Sequence, residues 1–90
     1  MTETEIVVQD IRRELRWSYR DQSIPNLRAL AKRLIDHKDA ADIVRSIKAY
    51  TSYLSIAKNC ASKQAFNRVQ LSARTLCDEL KKWEQAHAWQ

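Results

Sequence analysis

The sequence predicts an all-α fold: a small three- or four-helix bundle built on an antiparallel helical hairpin, with no sheet. Three observations predict it. The 90-residue chain contains no glycine and one proline, Pro25. β-Hairpin turns and bulges rely on glycine, so its absence argues against an all-β fold. The strong helix formers Ala, Leu, Arg, Lys, Gln and Glu are plentiful. Apolar residues recur at three- and four-residue steps along the chain. A hydrophobic content of 44% is that of a globular chain rather than a disordered one. Ninety residues suit one helical domain, 1–90, with a modest core.

The elements follow in order. The first helix is expected at about 3–20. Thr2 precedes Glu5 by three residues, a capping box in which the hydroxyl takes one free backbone N–H and the carboxylate another. Val7 or Val8, Ile11, Leu15 and Tyr19 form its apolar stripe. Ser23 suits an N-cap, and Pro25 suits the first turn of a second helix at about 25–35, where a missing N–H costs little. Leu27, Leu30, Leu34 and Ile35 would face inward.

A polar link at 36–39 ends in Asp39, a candidate N-cap for a third helix at about 40–59. Its stripe is Ile43, Ile47, Tyr50, Leu54 and Ala57, a heptad seam. Asn59 to Ser62 is the next break, with Ser62 capping a fourth helix at about 63–88. Phe66, Val69, Ala73, Leu76, Leu80, Trp83 and His87 form a second heptad seam. Two matching seams on a short link predict the hairpin, with the first two helices packed across it. The alternative is one continuous rod, whose seam would need a second chain.

The net charge is +5, and the charges are segregated. Residues 12–33 hold seven bases against Glu14 and Asp21, whereas residues 43–77 hold six bases and no acid. Arg12, Arg16 and Arg20 recur every four residues and so line one helix face, with Arg13 beside them and Trp17 a turn beyond Arg13. Like charges at that spacing repel by a few tenths of a kcal/mol per pair. An anion laid over the face relieves that repulsion. The bland alternative is that these arginines cover the bundle or pair with acids elsewhere, Asp36, Asp39, Asp78 and Glu79 being the candidates. The acid-free stretch contributes Arg45, Lys48, Lys58, Lys63, Arg68 and Arg74, among many Ser, Thr, Asn and Gln residues that bond phosphate oxygens. Trp17 and Trp89 are candidates for an interface, Trp89 because the chain terminus is hard to bury in one small bundle.

Catalytic and metal chemistry is not legible. His37 and His87 have no Cys or His at ligand spacing, so no metal site is expected. Without glycine there is no phosphate-cradling loop, and no cofactor is expected. Cys60 and Cys77 lie too far apart along a helix for a disulfide, and Cys77 is expected to be a small buried side chain. No apolar run reaches the ~20 residues of a membrane helix, which points to the cytoplasm.

The run NLRALAKRL at 26–34, followed by IVRSIKA at 43–49, resembles a helix-turn-helix. That resemblance implies Arg45 and Lys48 in a major groove. The link between the runs, 35–42, is longer and more acidic than the tight glycine turn of that family. The general build is also similar to small subunits of nucleoprotein machines, such as CRISPR effector small subunits. Two function classes are therefore expected of a chain that is not an enzyme. One is a module contacting nucleic-acid backbone with low specificity, as an accessory subunit or a homo-oligomer. The other is an adaptor or inhibitor docking an acidic protein through its basic face.

Overall fold

A computed structural model describes residues 2–16 and 23–87. Among them are four α-helices: α1 (Glu3–Arg16), α2 (Ser23–Leu34), α3 (Ala41–Asn59) and α4 (Lys63–His87). One 3₁₀ turn, Lys38–Ala40, leads into α3, and no described residue lies in a strand. Each helix stands where the periodicity predicts one. The expected continuation of α1 through 17–20 and the last residue of α4 fall outside the described residues, as does Tyr19.

Two of the predicted caps act as expected. Thr2 Oγ1 accepts the Glu5 amide at 3.3 Å, and Ser62 Oγ accepts the Ala65 amide at 3.1 Å. Asp39 is a correction. Ala40 occupies the position before α3 and offers no side-chain bond. The 3₁₀ turn already ties the Ala40 amide to the His37 carbonyl at 3.0 Å, so the carboxylate is released to cross the hairpin. Asp39 Oδ2 lies 2.9 Å from His87 Nε2 and accepts the Trp83 indole N–H at 3.4 Å. The His87 ring stacks on Trp83, centroids 4.1 Å apart and planes 19° apart. Its Nδ1 is 2.8 Å from the Trp83 carbonyl oxygen. Both ring nitrogens face acceptors, and each neutral tautomer satisfies one of them.

This tie joins the start of α3 to the end of α4, so the two helices run antiparallel. Their connection is the predicted break rather than a continuous rod. The Cys60 amide bonds the Ile56 carbonyl at 2.8 Å, and Cys60 then leaves helical geometry at φ −143°, ψ 85°. α2 packs antiparallel to α3, and α1 antiparallel to α2. Arg33 reaches Glu3 at 3.8 Å and Asp10 at 4.0 Å, while Asn26 Nδ2 donates to Glu14 at 3.1 Å.

All four helices share one core. Val7, Val8, Ile11, Leu27, Leu34, Ile43, Ile47, Tyr50, Leu76 and Leu80 are at most 2% exposed. Burying each such aliphatic side chain contributes about 1.5–3 kcal/mol, against about 0–1 kcal/mol for an exposed ion pair. The apolar stripes therefore decide the fold, and the ion pairs trim it. Three expectations of burial need correction. Ile35 is 62% exposed because α2 ends at Leu34 and the chain turns there. Phe66 is 48% exposed because Ala65 takes the inward position in the first turn of α4. Cys77 is exposed, one residue past the inward Leu76. Of the buried hydroxyls, two are satisfied within their own helix: Thr51 Oγ1 donates to the Ile47 carbonyl at 2.9 Å and Ser72 Oγ to the Val69 carbonyl at 3.0 Å.

Candidate functional site

The basic residues do not form one patch, and the hairpin explains why. Arg12, the first rung of the expected ladder, is turned inward onto α4. Its Nη2 donates to Glu84 Oε2 at 2.9 Å. Its Nε lies 2.7 Å from Oε1 but off the hydrogen-bond line, a close ionic contact only. The expected acids are otherwise engaged or elsewhere: Asp39 with His87, and Glu79 with Lys82 at 3.7 Å. Glu84 was not among them, because nothing in sequence links positions 72 residues apart. Arg13 and Arg16 are exposed. Arg20, Trp17 and Trp89 lie outside the described residues.

Lys63 opens α4 and Glu84 lies 21 residues further on, about 32 Å at ~1.5 Å per residue. The α1 ladder is thus anchored at one end of α4 while the hairpin tip carries its bases at the other. The acid-free stretch 43–77 is folded back on itself at 60–62, and its bases are distributed over four places. Arg45 and Arg68 flank a groove along the outer α3–α4 seam, beside Tyr53 and Leu71. Arg45 also stands 3.7 Å from Asp42, its neighbour one turn back. Lys58 and Lys63 flank the hairpin tip. Arg74 is exposed on α4.

Lys48 has a different setting. It faces α2 across a groove of about 380 Å³ that Arg28 and Lys32 also line. The floor is Ala31, Val44 and Ile47, with Ile35, Thr51 and Ser52 at its edges, and no acidic residue lines it. Arg28, Lys32 and Lys48 are all exposed. Arg28 and Lys32 stand four residues apart, so they share the α2 face that meets α3. Each of the two basic blocks of the sequence thus supplies part of one groove. The contribution of the first block comes from α2, not from the α1 ladder. Arg28 and Lys32 were not singled out from sequence, because only antiparallel packing of α2 on α3 brings them to Lys48. The available signal was their four-residue spacing.

Three exposed cationic side chains line this groove over an apolar floor, with no carboxylate among the lining residues, an arrangement that favours negative charge nearby. Thr51 Oγ1 already donates to its own helix, so the cations carry the charge recognition. Among the described residues no group of three or more His, Cys, Asp or Glu side chains is placed to hold a metal ion. Both cysteines are free thiols, and no helix among the described residues is long and apolar enough to cross a membrane. Comparison with protein-family models, with curated proteins and with solved structures finds nothing that matches this chain.

Proposed function

We propose that the chain is a non-catalytic binding module that contacts the phosphate backbone of nucleic acid with little base specificity. On this reading it serves as a small cytoplasmic subunit or accessory of a larger nucleoprotein assembly. The observation that carries the reading is the α2–α3 groove, where Arg28, Lys32 and Lys48 converge with no acid among the lining residues. Contacts of this kind position a protein on the backbone and carry no sequence information. The outer seam adds Arg45 and Arg68 beside Tyr53, a half-buried ring packed on the core whose exposed part would offer an unpaired base a stacking surface.

The reading has a magnitude. Three neutralised phosphates set a log–log salt slope of about −2 on single strands and about −3 on duplex. Affinity then falls about 20- to 40-fold between ~50 and ~200 mM salt. Titration of labelled single- and double-stranded oligonucleotides at those two salt concentrations tests it. Absence of binding at the lower concentration overturns it.

A further inference from the structure

The tip of the α3–α4 hairpin carries a second, chemically different groove. Leu54, Ala57 and Ala61 from the α3 side face Phe66 and Val69 of α4 across about 450 Å³. Lys58 and Lys63 stand on its rim, and no acidic residue lines it. The groove is open because the helices have unequal lengths. α3 has 19 residues and α4 has 25, whereas α2 has 12. Arg28 of α2 already meets Thr51 and Ser52. Little more than one turn of α2 precedes Arg28, so its cover runs out near Leu54. Beyond that point, among the described residues, only α3, α4 and the link between them line the groove. Phe66 is left 48% exposed, and Ile56 on the same tip 52% exposed.

We propose that this groove binds an acidic amphipathic helix of a partner protein. The apolar floor extends over about two helical turns, from Leu54 to Ala61, which fits apolar side chains of a guest helix at i, i+3 or i+4, and i+7. The rim selects the flanks of the guest. Lys58 and Lys63 attract carboxylates and repel a basic helix, and no acidic residue lines the groove beside them. The same charge disfavours symmetric pairing of two tips, which brings like charges together. Phe66 is the anchor: a large ring, half exposed, at the centre of the lining. The site shares no residue with the α2–α3 groove, so it stands or falls independently of the nucleic-acid reading.

The test uses the full chain and a panel of about ten synthetic ~16-residue helical peptides with Leu, Ile or Phe at i, i+3 or i+4, and i+7. One set carries Glu on both flanks, a second carries Lys, and a third carries Glu with Ala in place of the apolar residues. Binding is read by fluorescence anisotropy, and its location by amide chemical-shift changes. The acidic apolar set is expected to bind and to perturb Leu54, Ala57, Phe66 and Val69. Phe66→Ala should weaken it at least tenfold. The double variant Lys58→Glu, Lys63→Glu should reverse the preference toward the Lys-flanked set, with helicity by circular dichroism as the check of folding. Failure of every acidic apolar peptide to bind overturns the proposal. So does equal binding of the Ala-faced set, shift changes away from the tip, or concentration-dependent self-association that Phe66→Ala abolishes.

Discussion

The body and the tip of the hairpin are made from the same two helices, yet they solve different problems. In the body α1 and α2 close over the α3–α4 seam, and Tyr50, Leu76 and Leu80 are almost wholly excluded from solvent. At the tip the seam continues but its cover does not, and Phe66 and Ile56 face solvent. Charge follows the same division. Acids and bases of the body are paired across helices: Arg12 with Glu84, Arg33 with Glu3 and Asp10, and Asp39 with His87. The distal hairpin carries cations without acids. The difference teaches that periodicity sets where a helix can be apolar, while the length of its neighbour sets how much of that stripe becomes core.

The largest expected effect tests the body. Leu76→Ala removes a fully buried side chain from the core to which all four helices contribute and should cost about 2–5 kcal/mol in denaturant unfolding. Phe66→Ala, at the tip, should cost less than about 1 kcal/mol, because half of its surface is already exposed. Equal losses at the two positions would erase the distinction between body and tip.

A smaller effect separates the two kinds of cation. Replacing Arg28, Lys32 and Lys48 together with Gln should lower oligonucleotide affinity by about tenfold or more and flatten the salt slope by about 2–3. Stability should hardly change, since all three side chains are exposed. An unchanged slope would remove the α2–α3 groove from the binding surface. Arg12→Ala should behave in the opposite way. It should cost about 0.5–1 kcal/mol of stability, the pair with Glu84 being partly exposed, and leave the salt slope unaltered. A comparably small effect is expected at the open end of the hairpin. Asp39→Ala removes the acceptor of both the Trp83 indole and His87 and should cost about 1 kcal/mol. Trp83 fluorescence should report the loss directly, and an unchanged spectrum would show that the tie is not formed in solution.

Much of the fold was legible before any coordinates. The absence of glycine, the heptad seams of α3 and α4, and the breaks near 36–39 and 60–62 are local properties, and the structure follows them. The caps at Thr2 and Ser62 were legible for the same reason, since a cap is a contact within three residues. Asp39 was misjudged because a cap competes with any partner the fold brings near, and a 3₁₀ turn left its carboxylate free for α4. Phe66, Ile35 and Cys77 were misplaced because sequence spacing and residue type fix a helix face only to within a residue, most loosely at helix ends.

The candidate site was less legible than the fold. The sequence by itself determined how much positive charge there is, and that it lies in two blocks separated by an acidic link. Only the tertiary structure decided which of those bases meet. It turned Arg12 inward onto Glu84, joined Arg28 and Lys32 to Lys48, and carried Lys58 and Lys63 to a tip whose groove, among the described residues, only α3, α4 and their link line. The physical reason is that charge–charge proximity across helices depends on packing direction and helix length. Both are settled by burial of the apolar seams, and the surface charges follow where that burial takes them.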